Sequence, residues 1–249
     1  MQRLERQINA APGTVDPAEL DRYNKLAATW WDAGGPMWPL HRLNAIRVPF
    51  ITRCVATAVA GASEDDLRGL TVLDIGCGAG LLAEAMARRG ARVTGVDPAE
   101  RNIAIARDHA ANMGLDIDYR TGTVEELPPG HWDIVLNMEV VEHVEQLDRF
   151  MAHCCERVAP GGMHFLATIN RNLASFAAAI VGAEYVLRWL PRGTHQWHKF
   201  VRPGEAEAML AASGMTVVER SGVAVNPLTR HYSLTRSERI NYMLMARRT

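Results

Sequence analysis

From residue 70 onward, apolar runs of strand length alternate with stretches whose apolar residues recur at helical spacing. The runs are TVLDIG (71–76), RVTGVD (92–97), IDYRTG (117–122), WDIVLNM (132–138), GGMHFLATI (161–169), MTVVERS (215–221) and INYMLMARR (240–248). Between them the spacing predicts helices over 81–89, 99–113, 144–158 and 203–213, and a mostly apolar helical segment over about 171–190. Strands separated by such helices build a doubly wound, mostly parallel α/β sheet, because a crossover returns the chain to pair in parallel. No helix separates the last two runs, so they are expected to pair antiparallel at the sheet edge.

The first 60 residues follow a different pattern. Residues 1–14 read as a frayed terminus, and DPAELDRYNKLAATWW (16–31) reads as a helix with Asp16 as N-cap and Pro17 at N1. The stretch DAGGPMWPLHRLNAIRVPFI (32–51) reads as a loop broken by Gly and Pro, bearing Trp38, His41 and Arg42 and running into a second helix that ends near Ala60. A flap so rich in tryptophan either packs onto the main domain or closes over a ligand, and the two readings are compatible. The expected organisation is a helical flap over 1–64 and an α/β domain over 65–249 with an inserted amphipathic segment at 171–193.

Composition narrows the function classes. The 249 residues suffice for one large α/β domain with appended segments. Lys and Arg number 27 against 28 Asp and Glu, with no block of like charge, so no electrostatic footprint for nucleic acid is present. Cys54, Cys77, Cys154 and Cys155 show no Cys-x-x-Cys spacing, and the chain opens without a charged-then-apolar signal, which points to a reducing cytoplasm. The nearest approach to a membrane span, 173–190, is interrupted by Glu184 and Arg188, so the expectation is a soluble or peripheral protein.

The run VLDIGCGAG (72–80) carries the first chemistry. Its glycines, with Ala83, also satisfy the dinucleotide fingerprint, so the glycines alone do not choose a ligand. Asp74 does. A carboxylate at the carboxyl end of the first strand repels a pyrophosphate, whereas a cationic sulfonium with a free amino group prefers it. Asp74-x-Gly76-x-Gly78-x-Gly80 therefore favours S-adenosylmethionine, the glycines letting backbone approach its amino-acid moiety. Asp97, ending the second strand, is placed either to accept both ribose hydroxyls or to cap the next helix. The loop TGTVEEL falls where adenine would lie, with backbone contacts at Thr123 or Val124. These features resemble the class I S-adenosylmethionine-dependent methyltransferases.

The fourth strand runs into NMEVVEHV (137–144). If the chain turns helical there, Glu139, Glu142 and His143 share one face, which either holds Mg²⁺ or Zn²⁺ or lines the pocket as a polar helix start. A phenol titrating near pH 10 needs a base or a metal at its oxygen to react at neutrality, which makes Glu142 and His143 the candidate catalytic groups.

Over nearly all of residues 16–248 the chain resembles the ubiquinone biosynthesis O-methyltransferase family. The resemblance rests on WWDAGGPMWPLHRLNAIR, LDIGCGAGLLAEAMARRGARVTGVD, NMEVVEHV, GTHQWHKFVRPGE and the closing VNPLTRHYSL and INYMLMARR. It implies methylation of ring hydroxyls on polyprenylated catechol or phenol intermediates, at two steps of one pathway. The rival acceptor is another small catechol or phenol. It implies S-adenosylmethionine contacts at Arg47, Gly76, Asp97 and Met138, and it strengthens the metal reading of Glu139, Glu142 and His143. Arg47 suits the methionine carboxylate by charge; Met138 either lines the adenine and methyl-donor region or belongs to the core. The chain departs from many relatives at Gln196, Trp197 and His198, and at TRHY; His195 and His198 read either as bases or as pocket histidines.

The segment 171–193, with aromatics among few charges and Arg171, Arg188 and Arg192 near its ends, reads either as a core helix or lid, or as a headgroup-level anchor. A polyprenyl tail resident in the bilayer favours the second. Peripheral docking on the inner face of the cytoplasmic membrane, in company with other ubiquinone biosynthesis proteins, is the expectation that follows.

Overall fold

The structure is a computed structural model that describes residues 27–176, 189 and 196–249. Its centre is one eight-stranded sheet: β1 (Thr71–Ile75), β2 (Arg92–Asp97), β3 (Ile117–Thr121), β4 (Trp132–Met138), β5 (Val158–Ile169), β6 (Met215–Asn226), β7 (His231–Thr235) and β8 (Asn241–Arg248). Their spatial order is β3-β2-β1-β4-β5-β8-β6-β7. The first five strands pair in parallel, and β8, β6 and β7 continue the sheet antiparallel. The order in which strands are added reverses between β1 and β4, and at such a switch point ligands sit beyond the carboxyl ends of the strands.

The helices cover both faces: α1 (Trp38–Ala58), α2 (Leu81–Ala87) and α3 (Glu100–Asn112) on one, α4 (Leu147–Glu156) and α5 (Pro203–Ala212) on the other. The period of two along the strands divides the core accordingly. Val72, Ile134 and Leu136 pack with Phe50, Ile51, Met86 and Ile103, whereas Leu73 and Val135 pack with Phe150, Met151 and Leu210. The Phe50 ring meets Phe165 edge-on, so α1 shares the core of the sheet.

Several boundaries differ from the sequence reading. Trp38, His41 and Arg42 lie on α1, because Pro39 falls in the first turn, where a missing N–H leaves no hydrogen bond unmade. The helix expected over 144–158 is shorter; Val141–His143 form a separate 3₁₀ turn before α4. The antiparallel edge has three strands, with β8 inserted between β5 and β6. Its outermost strand, β7, is joined to β6 by a turn in which Asn226 Oδ1 accepts the Leu228 and Thr229 N–H groups at 2.9 and 3.2 Å. Of the helix expected over 16–31, only a 3₁₀ turn at Ala27–Thr29 falls within the described residues. The segment 171–193 also lies mostly outside them, apart from one helical turn at Leu173–Ser175 capped by Asn172. No described helix is long and apolar enough to cross a membrane.

Candidate active site

The glycine loop leaves β1 in left-handed backbone, with φ of 65° at Gly76 and 55° at Gly78. Glycine is required twice over at these positions. A Cβ on Gly76 would stand 2.6 Å from Val140, and one on Gly78 would stand 2.3 Å from the Trp30 indole. The loop is tied down by Gly76 N–H donating to Val96 O at 2.8 Å and Gly78 N–H donating to Asp97 Oδ2 at 2.9 Å.

Asp74 is 3 % exposed, and among the described residues its Oδ2 has no hydrogen-bond partner. Burial and the nearby Asp97 push its carboxyl up to about 7, against the opposing pull of the Ala83 N–H and Arg47. A buried carboxylate with an unmatched oxygen is costly unless a cation arrives to pair with it. Asp97 is buried as well. It accepts from Ala99 N–H at 2.9 Å and Asn102 Nδ2 at 3.2 Å, in addition to Gly78. Burial raises its pKa and these three donors hold it down. Asp97 thus ties the start of α3 to the glycine loop.

The tryptophan pair sits on the same loop. Trp30 Nε1 donates to Asn102 Oδ1 at 3.0 Å, and Trp31 Nε1 donates to Ala79 O at 3.1 Å. The Trp31 ring stacks on His109 at 3.4 Å, and His109 Nδ1 lies 2.6 Å from Glu84 Oε1. These contacts join the flap to the loop that sequence reading assigned to the cofactor.

At the end of β4, Met138 is buried and Glu139 stands in left-handed backbone at φ 60°. Glu139 forms an ion pair with Arg47, which is itself buried and whose Nε has no partner among the described residues. Glu142 is buried and accepts from Thr168 Oγ1 at 2.8 Å. Burial and Glu139 push its carboxyl up to about 7, while His143 pulls it down. The three residues are neighbours, but the shared helical face does not form, because Glu139 precedes the 3₁₀ turn in a different backbone region. Among the described residues no three His, Cys, Asp or Glu side chains converge on one metal position.

Residues that sequence reading passed over complete the site. Thr168, at the carboxyl end of β5, is one hydroxyl in an apolar run, and that is the signal that marks it. Asn102 and Trp30 brace Asp97 and Gly78. Tyr232, on β7, is raised to about 12 by burial and Glu139, with Arg47 opposing, so it stands in the field of that ion pair. His198, on a turn that packs against Val141–His143, lines a cleft of about 370 Å³ with Val141, Arg171, Lys199 and Glu205. His195 falls outside the described residues.

A methyltransferase-domain family model matches residues 49–220. The ubiquinone biosynthesis O-methyltransferase of Sinorhizobium fredii is 52 % identical over 94 % of this chain and 96 % of its own. The chain belongs to the ubiquinone biosynthesis O-methyltransferase family. A second member, from Rhodopseudomonas palustris, is 51 % identical over 94 % of this chain and 93 % of its own. Among solved structures, magnesium protoporphyrin IX methyltransferase from Synechocystis with bound SAH has a TM-score of 0.62. It is 17 % identical over 96 % of this chain and 90 % of its own, which shows a common fold.

Proposed function

We propose that this enzyme transfers a methyl group from S-adenosylmethionine to ring hydroxyls of polyprenylated catechol or phenol intermediates in ubiquinone biosynthesis. The observation that carries it is a pair of buried polar atoms, Asp74 Oδ2 and Arg47 Nε, unmatched among the described residues and close to a glycine loop, in a chain that aligns over 94 % of its length with a member of this family. When bound, S-adenosylmethionine supplies an activated methyl group on a sulfonium. Asp74 takes the amino group, and Arg47, already paired with Glu139, offers its unmatched Nε to the carboxylate. Asp97 takes the ribose hydroxyls, Gly76 and Gly78 offer backbone, and Met138 lines the methyl-donor side. Glu142, held by Thr168 and raised toward neutrality, is the group suited to take the phenol proton, with His143 beside it. Alignment of acceptor oxygen, methyl carbon and sulfur supplies the rest of the rate.

The donor chemistry of Glu139, Glu142 and His143 suits Mg²⁺ or Zn²⁺, which would favour the phenolate. In this structure Glu139 is engaged by Arg47 and the three do not converge, so metal binding there requires Glu139 to leave Arg47. Exposed Leu173 and Phe176 at the start of the 171–193 segment, with Trp197 just beyond it, support docking to the inner face of the cytoplasmic membrane. The tail then stays in lipid, near the other enzymes of the pathway.

The test is transfer of labelled methyl to a short-tailed reduced demethylubiquinone, before and after chelation and with Mg²⁺ or Zn²⁺ restored. Product on the ring oxygen supports the function, and its loss on chelation with recovery on metal supports the metal. Product indifferent to chelation keeps the function and removes the metal. No product, with cofactor bound in the same preparation, overturns the acceptor assignment.

A further inference from the structure

β7 is the outermost strand on its side of the sheet and packs against α1. Its residues range from exposed to half-buried, and Tyr232 and Leu234 pack their inner side against the core. Tyr232 also lies edge-on to Trp38, with ring centroids 6.3 Å apart at 69°, and Trp189 meets Trp38 at 5.1 Å and 85°. The Arg230 guanidinium lies 4.8 Å from the Trp38 ring and 5.8 Å from the Trp189 ring. Arg230 also has left-handed backbone, at φ 54°, and among the described residues it shares that property with one other non-glycine residue, Glu139. Arg and Glu gain nothing intrinsic from this conformation, and such strain persists where the surroundings over-determine it, commonly around ligand sites. The two strained residues bracket Tyr232: one braces the aromatic cluster, the other is the acid whose field it feels.

We propose that Tyr232 is an acceptor-recognition residue: its ring, backed by Trp38, which Arg230 covers, packs against the acceptor's aromatic ring and turns the reacting hydroxyl past Glu139 toward Glu142. This rests on the O-methyltransferase reading given above. The chemistry fits a phenol or catechol. An electron-rich ring gains from edge-to-face contact with another aromatic, and the tyrosine hydroxyl offers a hydrogen bond to the second oxygen of a catechol.

The experiment compares the unmodified enzyme, Tyr232→Leu and Tyr232→Phe, using a short-tailed reduced demethylubiquinone, a tailless catechol and a tailless monophenol as acceptors. Tyr232→Leu is expected to raise the acceptor KM about tenfold while the Kd for S-adenosylmethionine stays within about twofold, and Tyr232→Phe to recover most of the loss. An acceptor KM unchanged within about twofold, or a cofactor Kd shifted as far as the acceptor KM, overturns the proposal. If the leucine variant does not fold, Tyr232→Phe decides alone: its KM should rise more for the catechol than for the monophenol, and equal changes contradict the proposal. If the unmodified enzyme methylates only the tailless rings, the pathway assignment fails while the comparison at Tyr232 stands.

Discussion

Glu142 shows how burial and neighbouring groups together set a base. The carboxyl sits near 7 because burial and Glu139 favour its neutral form, and the Thr168 hydrogen bond favours its charged form. Methyl transfer limited by proton removal should therefore rise with pH through about 7 and level off above it. The pH profile of kcat checks this. Glu142→Gln should lower kcat about 100-fold and erase that limb. A limb that survives the substitution would place the base elsewhere. Thr168→Val should move the limb upward, since the charged form loses its donor, and a limb that moves down contradicts the assigned role. At this scale the sequence was partly legible. That Asp74 and Asp97 stand beside the glycine loop was legible, because Asp74 lies near the carboxyl end of one apolar strand and Asp97 ends the next. The place of Glu139 was not, since helical spacing says nothing about a left-handed residue that breaks the helix before it starts.

Elements were legible where apolar alternation was strong and the strand buried, as in β1, β2 and β4. β7 escaped because its alternation is short: HYSLT offers two apolar residues, Tyr232 and Leu234, and its first residue is exposed. The start of α1 escaped because Gly and Pro before it read as loop, although proline is at home in a first helical turn. The flap's contacts with the glycine loop lead to a prediction of their own. Trp30→Phe keeps the ring beside Gly78 but removes the N–H to Asn102. It should weaken S-adenosylmethionine binding by about three- to tenfold, the worth of one hydrogen bond. Calorimetric titration measures this, and unchanged affinity would show that the flap only packs.

At the scale of the whole molecule, the candidate site lies at the carboxyl edge of the sheet, and the proposed membrane face is the one carrying exposed Leu173 and Phe176. Leu173 is 82 % exposed, so replacing it costs the core little. Leu173→Asp with Phe176→Asp should reduce co-sedimentation with anionic vesicles while turnover of a tailless catechol is retained. Equal sedimentation of variant and unmodified protein would move the docking face elsewhere.

The most direct test of the central claim is calorimetric titration of S-adenosylmethionine into the unmodified protein and Asp74→Asn. Burial raises the Asp74 carboxyl to about 7, so the folded chain holds a proton that the unfolded chain has released above its ordinary pKa near 3.8. Without cofactor, ionisation of Asp74 therefore costs stability that grows as pH rises from about 4 to about 7 and stays lost above it. The neutral asparagine should make the cofactor-free protein more stable at pH 8, by roughly 1–2 kcal/mol. It should also weaken S-adenosylmethionine binding at least about 30-fold, because the amino group loses its buried counter-charge. A variant that binds the cofactor as tightly as the unmodified protein would contradict the assignment of Asp74, and with it the reading of the glycine loop as the cofactor site.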